Sequence, residues 1–229
     1  MHYAPRTIAF KSELGHPLVE PDHARLQKLH NQLFQAQPPP YTDFAVLGNG
    51  VQLSNAPTRP GAVSSVAFFA DRIVFSEELG SLTVDEFAKR VCSISEMATN
   101  MLGIQVITGH QVTIRTLVNP RNFKDSRAYL KDGMFGFGNQ VEDFAREPQL
   151  YGLRLVFPPN EQQPNAHALR IESWHSDTRS LFLENTSNFA PLLVPRGVEP
   201  LEQHIHDAYA FLVERALAFV GRFDVRQEA

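Results

Sequence analysis

The residues best able to bind or react lie between positions 154 and 177, with the alternating spacing of β-strands. If Arg170, Glu172 and Trp174 share one face of a strand, they project away from the core, because successive side chains point to opposite sides. An exposed tryptophan beside arginines can stack a base or clamp an anion. The candidate ligand-binding residues are therefore Arg154, Arg170, Glu172, Trp174 and His175.

Two alternatives exist for this region. The first is a cross-strand ladder of arginines and glutamates on a solvated sheet, with Trp174 folded over it by a loop. Antiparallel sheets commonly stabilise an outer face in this way, and we favour this interpretation. The second is a set of acid/base groups or metal ligands in an unrecognised hydrolase or nuclease. That set would be His167, Glu172, His175 and Asp177.

Other polar residues have structural explanations. His204 and His206 point about 200° apart on a helix, so they cannot bind one ion together. A solvated helix face accounts for His204 and Asp207, and the end of a strand accounts for Arg115 and Asn119. The sequence has no phosphate-binding loop, dinucleotide fingerprint, zinc-protease motif or nucleophile elbow. We expect no metal site, no cofactor and, on balance, no catalytic activity.

Composition restricts the class of protein. The chain has 229 residues, 43% hydrophobic and 20% charged, which is ordinary for a globular protein that buries a core. The net charge of −4 disfavours a surface made for long nucleic-acid duplexes. Cys92 is the only cysteine, which favours a reducing, cytoplasmic location. The sequence shows neither a secretory signal nor an apolar run of about 18 residues that would span a membrane.

The first half of the chain alternates strand and helix signals. Thr83 and Glu86 form a capping-box pair that begins a helix, and Gly103 can end it in the left-handed conformation. The interval 63–76 fits either one strand with a bulge or a tight hairpin. Around that helix we predict a strand at 7–14, a helix from Pro21 to about Gln35, a strand at 44–53 that is bent or turned at Gly48-Asn49-Gly50, a strand at 63–76, and a strand at 105–118. This order, β-α-β-β-α-β, is the ferredoxin-like arrangement.

The second half predicts a smaller antiparallel sheet and a covering helix. Short helical turns are expected at 125–146, and alternating apolar residues predict strands at 151–157, 168–174 and 180–184. A long amphipathic helix opens at Pro200 and ends before Gly221. The predicted fold class is α+β, with two sheet-and-helix units whose sheets are mostly antiparallel and covered by helices. The units are 1–120 and 121–229, which can pack as one compact domain.

Four segments carry a resemblance to a known family. They are Asp71 to Phe75, Thr83 to Phe87, Val112 to Asn119, and Leu201 to Asp207 leading into Phe211. Together they resemble a sporadically distributed prokaryotic family of uncharacterised proteins of similar length. Its members have a "pdR" strand, a helix, an "LRYIN"-like strand and a C-terminal "LH…F" helix. The resemblance implies a fold and a compartment, and it implies no activity or catalytic residue.

Three functions are compatible with these features, in order of preference. The first is a non-catalytic binding or assembly protein, for example a homodimer formed through sheet edges or the last helix. The second is the hydrolase or nuclease described above. The third is a nucleotide or single-strand nucleic-acid binder that uses Trp174 and the arginines. The expected partner is a second copy or another protein, with a small anionic ligand as a further option, while membrane and nucleic acid are disfavoured.

Overall fold

The centre of the fold is a large antiparallel sheet. The computed structural model describes residues 3–225, except for the side chain at position 142. Its strands are β1 (Arg6–Gly15), β2 (Asp43–Leu47), β3 (Gly50–Ser54), β4 (Val63–Phe69), β5 (Arg72–Glu78), β6 (Val106–Ile107), β7 (Gly109–Val118), β8 (Gly152–Phe157), β9 (Ala166–Ser173), β10 (Leu181–Phe189) and β11 (Leu192–Leu193). All but β6 and β11 lie in one sheet, in the order β2-β3-β4-β5-β1-β7-β10-β9-β8. Every neighbouring pair is antiparallel, with β1 and β7 near the centre and β2 and β8 at the edges.

Helices pack against this sheet. They are α1 (His23–Leu33), α2 (Val84–Leu102), α3 (Ser126–Ala128), α4 (Pro200–Ala210) and α5 (Leu217–Gly221). A π-helical segment, Tyr129–Met134, continues α3, and another, Phe211–Ala216, joins α4 to α5. Short 3₁₀ turns occupy Gln140–Phe144 and Val194–Arg196. In the part of the chain that the structure describes, no helix combines the length and the apolar character needed to cross a bilayer.

The two faces of the sheet differ because side chains alternate along each strand. In β1, Phe10 and Leu14 are buried, and Phe10 stacks on Phe87 of α2 with 5.3 Å between ring centroids. Lys11 and Glu13 of the same strand point to the opposite side, where they form an ion pair. The face that packs against the helices is called the inner face below, and the opposite one the outer face. The inner face and α1, α2 and α4 share one apolar core.

Local sequence signals correctly locate α2. The Thr83 hydroxyl accepts a hydrogen bond from the Glu86 N–H at 3.2 Å, and the Glu86 carboxylate accepts one from the Thr83 N–H at 2.8 Å. At the other end Gly103 has φ 72°, a left-handed conformation that glycine adopts without steric cost. Both ends of the helix are therefore fixed by contacts within a few residues.

The α+β class and the antiparallel sheet are confirmed, but the strand count of the first half is not the one predicted. The segments 44–53 and 63–76 are each a hairpin, turning at Gly48-Asn49 and at Ala70-Asp71. Four strands therefore separate α1 from α2, where the ferredoxin-like order has two. A two-residue turn leaves the apolar alternation on either side almost unchanged, so a hairpin and a bulged strand look alike in the sequence.

The close pairing of the β2–β3 hairpin with β4 gives a test of this register. A Cβ atom at Gly50 would collide with the backbone oxygen of Phe68, whereas nothing lies within 4 Å of a Cβ atom at Gly48. We expect Gly50→Ala to lower the free energy of unfolding by about 1–3 kcal/mol, since a backbone oxygen cannot move aside. Gly48→Ala is the matched control and should unfold at nearly the same urea concentration as the unsubstituted protein. Equal stability of the two variants would contradict the β3–β4 register.

Candidate functional site

Charged side chains form a row across the outer face, roughly perpendicular to the strands. In the register of the sheet, Arg154 lies opposite Arg170, Arg170 opposite Glu184, and Glu184 opposite Arg115. The Glu184 carboxylate accepts a hydrogen bond from Nε of Arg115 at 2.7 Å and lies 3.6 Å from Nε of Arg170. Arg115 also lies 3.6 Å from the carboxylate of Glu78 on β5. The row is a cross-strand charge ladder that links strands from both halves of the chain.

The residues predicted to bind a ligand lie close together near this ladder. Trp174 stacks on Phe182 with 5.0 Å between centroids and 12° between planes, and the guanidinium carbon of Arg170 lies 5.0 Å from the same ring centroid. The Glu172 carboxylate is 3.6 Å from Nε of Arg170. His175 lies in the exposed turn, with its ring centroid 5.0 Å from that of Trp174. These side chains contact one another, as the ladder interpretation predicts.

The four residues proposed for acid/base or metal chemistry are not brought together. His167 points to the inner face, where its ring stacks on Phe211 at 3.9 Å and its Nδ1 lies 2.8 Å from the Ser187 hydroxyl. Glu172 is five residues further along β9 and therefore points to the outer face. Asp177 accepts a hydrogen bond from the Ser180 hydroxyl at 2.6 Å in the turn after β9. The sheet itself separates His167 from Glu172.

A second polar cluster, which the sequence did not indicate, lies on the inner face beneath α4. Nε2 of His110 is 2.8 Å from the Ser12 hydroxyl, and Nδ1 of His110 is 3.1 Å from Nδ1 of His204. The His204 ring stacks on Phe189 with 4.1 Å between centroids. The prediction that His204 lies on a solvated helix face is therefore wrong. The partners of His204 come from β7 and β10, which lie far from it in the sequence.

This cluster has the connectivity of an activated nucleophile, a hydroxyl joined to an imidazole that a second group orients. However, Ser12 is 0% exposed in the middle of β1, so a substrate cannot reach its hydroxyl. The hydrogen bonds instead satisfy buried polar groups that would otherwise destabilise the core. Asn185 acts similarly by donating a hydrogen bond from Nδ2 to the backbone oxygen of Ala208 at 2.9 Å, which ties β10 to α4.

Burial makes the histidine cluster sensitive to pH. It lowers the pKa of His110 from 6.5 to about 3, with a further contribution from the nearby His204. Burial also lowers the pKa of His204, although the charge of Asp207 opposes that shift. Both imidazoles are therefore neutral in the folded protein at neutral pH. The unfolded chain takes up these protons near the ordinary histidine pKa, so acid favours unfolding.

The sign of this linkage can be tested with urea unfolding, followed by the fluorescence of Trp174. The contribution to stability is fully present above pH 6.5 and falls as the pH decreases from there towards 3. We expect His110 to contribute up to about 1.4 kcal/mol of lost stability per pH unit within that window. His110→Gln and His204→Gln should each flatten the profile between about pH 7 and about pH 5. His23→Gln, at an exposed position on α1, should not.

The edge strand β8 is the remaining feature of this side of the sheet. Among the described residues it pairs only with β9, so its other side presents backbone N–H and C=O groups without a strand partner. Val156 is 65% exposed and Phe157 is 40% exposed, and Arg154 is the single charged residue of the strand. Exposed hydrophobic side chains also precede it, at Phe137, Phe144 and Leu150. We refer to strand β8 and its unpaired side as the β8 edge.

These features define an α+β protein with one large antiparallel sheet that packs helices on its inner face. No protein-family model and no curated protein matches the sequence. Among solved structures, the chain is similar to the regulatory subunit of aspartate kinase from Thermus flavus, with a TM-score of 0.24 and 8% sequence identity. The similarity covers 91% of this chain and 97% of that chain. At such a TM-score the similarity carries no argument about function.

Proposed function

We propose that the chain is a non-catalytic binding and assembly protein that forms a two-fold homodimer through the β8 edge. The observation that carries this proposal is the exposed, apolar character of an edge strand with an unpaired side. Proteins usually protect such edges with lysines, prolines, bulges or a covering element, because a free edge pairs readily with another strand. The β8 edge has Arg154 as its single charge and no proline within the strand. Pairing with a second copy would satisfy its backbone groups.

A two-fold axis through Leu155 gives a self-complementary register. It places Leu155 opposite its own copy and Leu153 opposite Phe157 of the second copy, all on the inner side of β8, where Leu153 and Leu155 already pack on the core. On the outer side Arg154 meets Val156 of the second copy, whose methyl groups can pack on the arginine stem. An axis through Arg154 would instead oppose two arginines, which is destabilising. Charge and apolar surface therefore select the same register.

A closed dimer is favoured over an open chain of molecules. The opposite edge strand, β2, also exposes a valine, Val46, at 56%. Pairing of β8 with β2 of another copy would be head-to-tail and would leave free edges at both ends. A six-residue strand alone buries less surface than a typical stable interface, which buries about 800 Å² on each partner. We therefore expect the exposed Phe144 and Leu150, which precede β8 in the chain, to contribute surface.

The other two candidate functions are less well supported. A hydrolase or nuclease requires His167 and Glu172 in one site, and they lie on opposite faces of the sheet. A nucleic-acid binder requires a free stacking ring and free arginines, whereas Trp174 stacks on Phe182 and Arg170 pairs with glutamates. These contacts favour the binding and assembly function.

The organisation in two units and the family assignment belong to the same proposal. Residues 1–120 supply β2-β3-β4-β5-β1-β7 and residues 121–229 supply β10-β9-β8, so the units would meet where β7 pairs with β10. The four segments that resemble the prokaryotic family fall in β5, at the start of α2, in β7 and in α4.

A reducing, cytoplasmic location is proposed from Cys92, which has a free thiol. Burial raises the pKa of this thiol above its ordinary value.

Charge substitutions at Val156 test the dimer and its register together. Val156→Lys would place a lysine opposite Arg154 twice in each dimer and should weaken dimerisation about tenfold or more. Val156→Glu would place a carboxylate there and should leave the dimer as stable as before or more stable. Analytical ultracentrifugation over a range of protein concentrations measures the dimer dissociation constant.

Val46→Lys is the matched control, because it adds the same charge to an exposed valine on the other edge strand. It should leave the dissociation constant unchanged, and circular dichroism should confirm that every variant is folded. If the protein is still monomeric at about 0.1 mM, its self-association is weaker than that of typical specific complexes, and the proposed function is contradicted. Equal weakening by Val156→Lys and Val156→Glu would contradict the register through Leu155.

A further inference from the structure

A small cavity lies where β4 begins, β5 ends and α2 crosses the inner face. Its volume is about 210 Å³, below the range of about 300–1,000 Å³ that holds drug-sized ligands, so it suits a smaller molecule. A carboxylate, a hydroxyl and a guanidinium line it, from Glu77, Ser64 and Arg90. Apolar side chains form much of the remaining wall, among them Pro57, Ala62, Val63 and Leu82.

Glu77 supplies a buried carboxylate to the wall of the cavity. It lies opposite Ser64 in the register of β4 and β5, and it is only 7% exposed. Its Oε2 is 3.9 Å from Nη1 of Arg90, which is longer than a hydrogen bond. Burial raises the pKa of Glu77, although a hydrogen bond with Ser64 and the charge of Arg90 oppose that shift. An ionised carboxylate has about four acceptor sites, so these two partners leave capacity for a ligand.

The second oxygen of this carboxylate lies against Gly80, which also lines the cavity. A Cβ atom at Gly80 would overlap Oε1 of Glu77. The absence of a side chain at Gly80 therefore gives Oε1 its room beside the cavity. An N–H donor of a ligand can reach Oε1 there, while Oε2 faces Arg90.

The turn that contains Gly80 is held in place by the residue before it. Leu79 has φ 48°, a left-handed conformation that residues other than glycine adopt rarely. Its N–H donates to the backbone oxygen of Ile8 at 2.7 Å, and its C=O accepts a hydrogen bond from Nε of Arg59 at 2.7 Å. Such a conformation persists only where the surroundings fix it, so this wall of the cavity is formed before a ligand binds.

Arg90 brings a guanidinium to the cavity from α2. Its guanidinium carbon lies 5.4 Å from the ring centroid of the buried Tyr41, and its Nη1 is 3.4 Å from the Ser64 hydroxyl. These contacts orient the side chain beside Glu77. A guanidinium has five N–H donors, so donors remain for a carbonyl oxygen of a ligand.

The charges that line the cavity cancel, because one guanidinium and one carboxylate give +1 − 1 = 0. Arg59 and Glu86, which lie close by in the chain, also carry opposite charges and are bound to backbone groups. A cationic ligand would be repelled by Arg90 and an anionic one by Glu77. A neutral primary carboxamide avoids both penalties, since its NH₂ group can donate to a carboxylate while its oxygen accepts from a guanidinium.

We propose that this cavity binds a small neutral molecule through a primary carboxamide group, with the amide N–H on Glu77 and the carbonyl oxygen on Arg90. The apolar wall takes the hydrocarbon part of the ligand. The cavity lies at β4, β5 and α2, whereas the proposed dimer contact lies at β8, the edge strand of the other half of the sheet. Either proposal can therefore fail without the other.

Ligand-detected NMR titrations with benzamide and acetophenone test the site. Acetophenone has a methyl group in place of the NH₂ group of benzamide, so it keeps the shape and the carbonyl oxygen but lacks the donor. We expect benzamide to bind with a dissociation constant of about 1 mM or lower, which is modest because the ligand is small. Acetophenone should bind about tenfold more weakly, because it would leave the Glu77 carboxylate buried without a new donor.

Two variants test the carboxylate. Glu77→Gln removes its charge, and Gly80→Ala keeps the charge but displaces Oε1 from beside the cavity. Each should weaken the binding of benzamide about fivefold or more, since a hydrogen bond to an ionised group is lost or distorted. Glu78→Gln, which removes a carboxylate from the outer side of the same strand, is the control for the first variant. Gly48→Ala, where a Cβ atom meets nothing within 4 Å, is the control for the second.

Four results would overturn the proposal. They are the absence of benzamide binding at about 10 mM, equal binding of acetophenone and benzamide, tighter binding of the charged analogues benzylamine or benzoate, and an unchanged benzamide affinity in either Glu77→Gln or Gly80→Ala. Circular dichroism should confirm that every variant is folded. Analytical ultracentrifugation should show the same oligomeric state for all of them, so failure here is distinguishable from failure of the dimer.

Discussion

The alternation of side chains along each strand is the constraint on which the rest of the structure depends. The helices pack on the inner face of the large sheet, so every second residue of each central strand must fit into the core. A shift of one residue in any strand would exchange its core residues for charged ones. Phe10 and Leu14 point to the inner face for this reason, and Lys11 and Glu13 are excluded from the core. The constraint fixes the register of each strand and therefore the position of every polar group.

The two faces of the sheet stabilise their polar side chains in different ways. The outer face can use full charges, because solvent stabilises Arg115, Glu184 and Arg170 in their ladder. On the inner face most charge is avoided, and neutral groups pair closely: Ser12 with His110, and His167 with Ser187. The exception is the buried Glu77, which lies 3.9 Å from Arg90 of α2. Residues that resemble catalytic groups in the sequence are used in this way. Surface able to accept a ligand or a partner is then found mainly at strand ends and sheet edges.

Local features of the fold could be predicted from the sequence, and features that join distant segments could not. Thr83, Glu86 and Gly103 specify α2 because its end contacts span only a few residues. The strands of the second half were also recognisable from alternation. In contrast, the turn signals at Gly48-Asn49-Gly50 and Ala70-Asp71 could not distinguish a hairpin from one bent or bulged strand, and His204 was misplaced because its partners lie on other elements. The pairing of Arg115 with Glu184 likewise depends on strand order, which periodicity does not reveal.

The strand order also explains why the β8 edge can have a role separate from that of the central strands. The central strands β1, β7 and β10 are each paired on both sides. They are therefore the most constrained part of the sheet. The β8 edge lies two strands away from β7 and is paired on one side only. A strand in that position can gain a partner without disturbing the central strands.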